Sequence, residues 1–326
     1  MEVASNIFMI KLPLPFKLDH INCYLLKGKN GWTVIDTGLN YPPSTGAWEK
    51  ALKDVGLKCS DIESIYVTHY HPDHYGASGW LQELTGAPVY IHRTESLFVD
   101  QVWKKGRANI PVIGELFKEN GMPPNLITEV LDNMVDVWNA IHPHPKLTLL
   151  SGDEKVDLGG RSFEIIHTPG HSDGHICFFN RDEGILISGD HLLPKISSNI
   201  SLWPTSHPNP LDFFLRSLEM IRDLPVKLVF PAHGPVFRNS RGRVDELLDH
   251  HRERLSRIAD LASVGATAYH ICESLFGTDL SLHEIRFALT ETLAHLAYLE
   301  SKSEVYSRQE HGIVIYRRAQ SCSGSL

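Results

Sequence analysis

The sequence predicts an α/β fold with a helical insertion and a small, mainly helical unit at the C-terminal end. Over residues 20–92, short apolar runs alternate with amphipathic helical patterns, which is typical of sheets covered by helices. From about residue 94 to 150, apolar residues recur only at helical spacing. After residue 240, three helical patterns precede two short strand patterns. We therefore expect a domain over 1–240, with its insertion at about 94–150, and a second domain over 241–326.

The first part of the chain predicts a hairpin and a helix. Residues 21–28 and 32–36 are apolar runs joined through an Asn-Gly turn signal. Residues 44–55 carry apolar side chains on one helical face and are followed by Gly56, a helix stop. Between them lies Asp36-Thr37-Gly38. Asp36 has two interpretations, a turn residue that bonds nearby backbone N–H groups or a carboxylate that orients a ligand histidine.

A dense group of imidazoles follows the next predicted strand, residues 64–67. The segment reads Thr68-His69-Tyr70-His71-Pro72-Asp73-His74. Since His69 and His71 are two residues apart, an extended backbone points both side chains the same way. Pro72 then redirects the aspartate and histidine that follow it. Imidazole and carboxylate are the usual nitrogen and oxygen ligands of zinc and related ions. One peptide could therefore serve two neighbouring metal ions.

Further ligand-type residues follow three later apolar strands. Strand patterns end at Thr168-Pro169-Gly170-His171, at Ser188-Gly189-Asp190 and at Ala232-His233-Gly234. Strand ends meet loops at one edge of a sheet, where a rigid scaffold can hold a reactive constellation. We expect these residues to join the first histidine group.

These motifs together resemble the metallo-β-lactamase superfamily, in its dinuclear hydrolase branch. The resemblance covers roughly residues 20–235 and implies a four-layer αββα sandwich. It also implies two metal ions held by seven residues, which are His69, His71 and His171 for one ion, Asp73, His74 and His233 for the other, and Asp190 as the bridge. The C-terminal helices and hairpin resemble, more loosely, a winged-helix-like tail found on some members, including an endoribonuclease group.

The resemblance also implies a mechanism. Two cations that share a carboxylate and a water molecule lower the pKa of that water from 15.7 toward about 7. The resulting metal-bridging hydroxide attacks an electrophilic carbon, and Asp73 and Asp190 take the catalytic roles of orienting and bridging. Zinc is the expected ion, with iron and manganese as alternatives that the mixed nitrogen and oxygen set does not exclude.

Composition and charge limit the classes of binding partner and the cellular setting that we expect. The 326-residue chain has a formal net charge of −8, which disfavours nucleic acid and anionic membranes. The predicted insertion has five basic and seven acidic residues, and the chain from residue 241 has ten basic and twelve acidic. Five scattered cysteines and the lack of a signal-peptide pattern or long apolar run predict a reducing, cytoplasmic setting.

Several other residues receive secondary interpretations. Tyr70 and Tyr75 could donate to an oxyanion, although packing is the simpler role. His191 could support the site or simply pack. A cluster of three arginines could hold an anionic substrate, or could only be solvated and ion-paired; its members are Arg238, Arg241 and Arg243. The remaining histidines near strand ends are interpreted as structural, namely His92, His167, His175 and His207.

The functional hypothesis is hydrolysis of a small, largely apolar acyl thioester, ester or lactone. The C-terminal unit would then wall the pocket or mediate self-association into a homodimer. The alternative is a metal-dependent endoribonuclease or phosphodiesterase, suggested by the resemblance of the tail. A third class is a non-enzymatic regulator with a vestigial metal site. It conflicts with the complete set of ligand-type residues.

Overall fold

Two β-sheets packed face to face form the centre of the protein, whose computed structural model describes residues 1–319. The first sheet consists of β1 (Glu2–Ala4), β2 (Ile7–Pro13), β3 (His20–Lys27), β4 (Trp32–Ile35), β5 (Ile62–Val67), β6 (Val89–His92) and β7 (Leu147–Leu150). These strands lie in sequence order, antiparallel from β1 to β4 and parallel from β4 to β7. The second sheet consists of β8 (Lys155–Asp157), β9 (Ser162–His167), β10 (Ile176–Asn180), β11 (Ile185–Gly189) and β12 (Leu228–Pro231). These strands lie in the order β12-β11-β10-β9-β8.

Some helices cover the outer faces of the two sheets, and others pack together beside the sandwich. The helices are α1 (Pro42–Val55), α2 (Pro72–Tyr75), α3 (Ser78–Thr85), α4 (Arg93–Phe98), α5 (Ile110–Glu119), α6 (Pro124–Trp138), α7 (Pro210–Arg222), α8 (Ser240–Leu261), α9 (Ala268–Phe276) and α10 (Leu282–Ser301). Trp48 of α1 and Leu81 of α3 pack on the first sheet, and Phe214 of α7 and Val244 of α8 pack on the second. The αββα prediction is thus confirmed.

The core between the sheets explains why the sandwich closes. Tyr66 of β5 stacks on Tyr90 of β6 at 4.6 Å and meets Phe178 of β10 edge-on at 5.8 Å. On the other flank, Tyr24 of β3 stacks on Phe230 of β12 at 5.4 Å. Each aromatic side chain buries about 150–250 Å² of surface, so these contacts supply much of the free energy that holds the two sheets together.

The predicted extent of the helical insertion is wrong at its end. Residues 147–150 form β7, which pairs in parallel with β6 at the edge of the first sheet. The run Leu-Thr-Leu-Leu is too short for periodicity to distinguish strand from helix, and Leu149 remains half exposed. The prediction also left out β1 and β2, whose antiparallel pairing extends the other edge of the sheet.

The insertion and the C-terminal helices share one hydrophobic core. Phe117 of α5 and Val130 of α6 pack with Ile258 of α8, Ile271 of α9 and Leu289 of α10. The hairpin of β13 (Val305–Glu310) and β14 (Ile313–Arg318) follows α10, as predicted. The proposed boundary at residue 240 coincides with the start of α8, which contacts both cores. The winged-helix comparison and the two-domain division stay predictions, and residues 320–326 lie outside the described part.

Two further expectations concern cysteines and membranes. Cys23, Cys59, Cys177 and Cys272 are free thiols, and Cys322 lies outside the described residues. Over residues 1–319, no helix has both the length and the apolar character needed to cross a bilayer.

Candidate metal centre

Five strand ends converge on one point of the sandwich. The loops after β5, β9, β11 and β12 carry all seven predicted ligands, and the loop after β4 carries Asp36. Three overlapping sets of side chains have ligand atoms within 4.8 Å of one another. They are His69, His71 and His171; His69, His74 and Asp190; and Asp73, His74 and His233. Residues up to 164 positions apart in the chain therefore meet in one cluster.

The Asp190 carboxylate lies between two groups of ligand atoms. The first group belongs to His69, His71 and His171, and the second group belongs to Asp73, His74 and His233. Asp190 Oδ2 is 3.4 Å from His171 Nε2, which is itself 3.2 Å from His69 Nε2. Its Oδ1 is 3.4 Å from both His74 Nε2 and His233 Nε2. Each oxygen thus faces a different group, as a carboxylate bridging two cations would require.

The outward nitrogens of the imidazoles are anchored. His171 Nδ1 lies 2.8 Å from the carbonyl oxygen of Asn199, and His233 Nδ1 lies 2.9 Å from that of His20. A carbonyl only accepts, so each Nδ1 carries a proton and each Nε2 presents its lone pair to the cluster. His74 follows the same pattern, with Asp36 as the partner of its Nδ1 at 2.8 Å. This is the arrangement that orients histidine for metal ligation.

Asp36 adopts the orienting role rather than that of a simple turn residue. Its buried carboxylate accepts hydrogen bonds from the backbone N–H of Thr68 at 2.8 Å and from the hydroxyl of Thr68 at 2.9 Å, in addition to the contact with His74. Its φ of +58° is a left-handed conformation that aspartate tolerates better than most residues. Asp36 therefore holds both the histidine loop and the His74 ring.

The electrostatics of the cluster suit a cation. Burial lowers the pKa of His69 and of His71 well below the usual value, so both are neutral at pH 7. Burial also acts to lower the pKa of His74 and His233, but the neighbouring carboxylates outweigh it and raise both. Buried His74 Nε2 and Asp190 Oδ1 have no hydrogen-bond partner among the described atoms. The donor set and these orphaned atoms fit divalent metal ions, whose binding would release protons.

Glu95 of α4 ties together the two loops that carry the first group, and the sequence analysis missed it. Its fully buried carboxylate accepts from the backbone N–H groups of Tyr70 at 2.7 Å and Gly174 at 2.6 Å, and from the Ser172 hydroxyl at 2.9 Å. Burial raises the pKa of Glu95 to about 7, against these hydrogen bonds, which lower it. An acid in the first turn of a helix usually faces solvent. Sequence therefore carried no signal for this role.

His175, interpreted as structural, supports Asp190 from behind. The backbone N–H of Asp190 donates to His175 Nε2 at 3.2 Å, so His175 Nδ1 carries the proton and lies 2.8 Å from the Thr168 hydroxyl. Gly189 has a φ of +49°, and a Cβ there would lie 2.7 Å from the same Nε2. The Ser-Gly-Asp motif thus needs glycine because His175 approaches the backbone so closely.

The secondary candidates are mainly structural. Tyr70 is buried against Phe98, and the Tyr75 hydroxyl lies 3.2 Å from His144 Nδ1. His191 is fully buried edge-on against Phe214. Arg243 donates to the carbonyls of Leu193 and Ile196 and pairs with Glu246, whereas Arg238 and Arg241 are exposed. His92 and His167 stack on each other, and His207 packs against Phe213.

A cavity of about 770 Å³ lies between the loops that follow β2 and β4, α6 and the start of α10, and its described lining includes none of the seven candidate ligands. Its wall is largely apolar and includes Pro15, Phe16, Leu39, Tyr41, Val137 and Leu282. Ala140, which also lines it, belongs to the turn that packs against α2, the helix that carries Asp73 and His74. Lys17 and Glu284 pair with each other at 2.8 Å, so their charges largely cancel. The cavity is of the size that small-molecule sites usually have.

Comparison with known families gives two matches. The family model described as the metallo-beta-lactamase superfamily matches residues 17–233, about two thirds of the chain. A second, described as the metallo-beta-lactamase-like C-terminal domain, matches residues 255–319. Among the described elements, the two matches leave out β1, β2 and most of α8.

Individual relatives agree with these matches. A probable metallo-hydrolase of Bacillus subtilis (strain 168) is 28% identical over 325 residues, covering 96% of this chain and 98% of its own. The crystal structure of a metallo-beta-lactamase family protein from Thermus thermophilus is 32% identical, with a TM-score of 0.89, and covers 98% of this chain and 100% of its own. An atrochrysone carboxyl ACP thioesterase of Aspergillus terreus is 24% identical over 243 residues, which are 74% of this chain and 58% of its own.

Proposed function

The chain belongs to the metallo-beta-lactamase superfamily, whose metallo-hydrolases bind divalent metal ions, typically two. From that premise we propose that it hydrolyses a small, largely apolar acyl thioester, ester or lactone. The apolar cavity of about 770 Å³, whose wall includes Ala140 of the turn that packs against α2, carries this proposal, because it offers an acyl chain a place to bind and offers a polyanion no basic surface. The similarity to a thioesterase supports the same bond type.

The proposal assigns two ions to the seven clustered residues, with Asp190 between them. When bound, such ions polarise a carbonyl group and lower the pKa of water, which supplies the nucleophile and stabilises developing negative charge. Asp190 and Asp73 would hold and orient the attacking water through their carboxylates. Asp36, Asn199 and the backbone of His20 would keep the ligand imidazoles in the tautomer described above. We keep zinc as the expected ion.

The remaining parts of the proposal concern partners and location. We propose a small-molecule substrate, no nucleic acid or membrane partner, and a cytoplasmic location, consistent with the four described free cysteines. The C-terminal helices would serve to wall the cavity, because α10 lines one side of it. Self-association as a homodimer is a separate proposal that sedimentation would test.

The test is a substrate panel with metal-loaded protein. It should include acyl thioesters, aryl esters and lactones of two to ten carbons, with single-stranded RNA as the comparator for the endoribonuclease alternative. We expect ester-type turnover that rises with acyl length until the cavity is filled and that stops after chelation. Cleavage of RNA without turnover of any ester-type substrate would overturn the proposal, as would full turnover after exhaustive removal of metal.

A further inference from the structure

The first turn of α10 places one imidazole in the wall of the cavity. The His283 ring stacks on Phe16 at 4.4 Å with an interplanar angle of 12°, and it meets Phe287 edge-on at 5.1 Å. Two aromatic contacts in different directions restrict the ring to one orientation. Neither the predicted ligand set nor the proposed mechanism uses His283.

Arg286 determines which nitrogen of His283 carries the proton. Its Nη2 lies 2.9 Å from His283 Nδ1. A guanidinium group has only donors, so His283 Nδ1 accepts and the proton of the neutral ring is on Nε2. Burial, and next the Arg286 charge, lower the pKa of His283 to about 4, against the raising effect of Asp73 and Glu284. The ring is therefore neutral at pH 7, with Nε2–H as its donor.

Arg286 itself is an unusual residue for a helix interior. Its side chain is almost fully buried, and its Nε has no hydrogen-bond partner among the described atoms. No carboxylate among the described side chains lies within 4.0 Å of it. A buried cation costs free energy unless it is compensated. Two contacts compensate it among the described residues: the guanidinium lies over the Phe287 ring at 4.8 Å, and it donates to His283 Nδ1.

The helix that carries His283 is connected to the metal centre. Asn199 donates from Nδ2 to the Phe287 carbonyl of α10 at 3.3 Å, and its own carbonyl accepts from Nδ1 of the candidate ligand His171 at 2.8 Å. Nε2 of His283 has no partner within the described part of the chain.

We propose that His283 contacts the substrate, donating a hydrogen bond from Nε2–H to an uncharged oxygen of the molecule in the cavity, and that Arg286 is the positioning residue that sets this tautomer. The ligand class is an acyl compound with a carbonyl or ester oxygen, and in this respect the inference rests on the proposed function. The C-terminal unit would then contribute a substrate-binding group to a site whose ligands all come from the sandwich.

The test compares variants on the best substrate of the panel. His283→Phe keeps a ring that can stack but removes the donor, and we expect kcat/KM to fall about 3- to 10-fold, the value of one net hydrogen bond. His283→Gln can place an amide N–H near the lost one and should recover most of that loss. His270→Phe on exposed α9 is the matched control and should have no effect. Equal kcat/KM for His283→Phe and the wild type would overturn the proposal.

A double-mutant cycle separates positioning from general stability. In Arg286→Met the tautomer of His283 is no longer fixed, and kcat/KM should fall about 2- to 5-fold. The same substitution should cause no further loss in His283→Phe, because the donor that Arg286 positions is already absent. If Arg286→Met does not fold, Arg286→Lys can be used in its place, because it keeps the positive charge but not the planar fork. Equal losses with and without His283 would show a merely structural role and would overturn the positioning part.

A binding experiment distinguishes this inference from the proposed function. The probe is a ketone in which a methylene replaces the thioester sulfur, so that the carbonyl remains but cannot be hydrolysed. Calorimetry should give a Kd that rises about 3- to 10-fold in His283→Phe and is unchanged in His270→Phe. If the ketone binds in this way but no thioester is hydrolysed, the proposed function fails and the His283 contact stands. If the wild type does not bind the ketone, the His283 contact is overturned.

Discussion

Replacement of Glu95 should destabilise the protein and weaken one half of its metal centre. Glu95 Oε1 accepts from Gly174 N–H and the Ser172 hydroxyl, and Oε2 accepts from Tyr70 N–H. In Glu95→Gln the single amide oxygen can keep the first two bonds, so the amide NH2 must face the Tyr70 N–H. One bond to a charged acceptor is lost and a buried donor is left unpaired, which costs about 2–3 kcal/mol.

The effect on metal binding follows from the position of the donor that loses its partner. The bond that is lost holds Tyr70, which lies between His69 and His71, so loosening this loop should lower the affinity for the metal held by His69, His71 and His171 about 10- to 100-fold. The second group is held through Asp36 and the backbone of His20, and should lose much less.

The assay is urea unfolding together with metal titration at pH 8, where Glu95 is ionised because its pKa is about 7. Glu115→Gln on α5, an exposed glutamate that pairs with Lys118, is the matched control and should change stability by no more than about 0.5 kcal/mol. An unchanged free energy of unfolding and two equally tightly bound metal equivalents in Glu95→Gln would refute the conclusion that Glu95 holds these loops together.

Two further predictions follow from the geometry. Asp190→Ala should retain less than one tightly bound metal equivalent by elemental analysis and should lose turnover, because each Asp190 oxygen faces a different group of ligand atoms; two retained equivalents would contradict this. Burial lowers the pKa of His295 to about 3, so the unfolded chain binds a proton there that the folded chain does not, and stability is lost as pH falls below about 6.5. The His295→Gln variant lacks this loss. The difference in free energy of unfolding between the wild type and His295→Gln, measured with urea, should therefore narrow by about 1 kcal/mol between pH 7 and pH 5.5. His270→Gln, at an exposed position, is the control, and its difference in free energy of unfolding from the wild type should be the same at both pH values. A pH-independent difference for His295→Gln would refute the claim that His295 causes the loss of stability.

Local sequence signals predicted much of the secondary structure because they act over a few residues. Thr267 accepts from the backbone N–H of His270 at the start of α9, and Ser281 forms the predicted capping box with Glu284. Both are short-range hydrogen bonds whose partners are three residues apart. The same approach did not predict the four-residue β7, because β7 is a strand through its pairing with β6 and not through its local sequence.

What the sequence alone determined is the identity of the seven candidate ligands, because imidazoles and carboxylates just past strand ends are recognisable one loop at a time. The tertiary structure alone decided which groups support them. Glu95 and His175 each act through a partner that is distant in the chain or on another element, and no local pattern records such a contact. The common core of the insertion and the C-terminal helices has the same origin, since each supplies only one face of it. Ligand chemistry is a property of residue types, whereas orientation, tautomer and burial are properties of their neighbours in space.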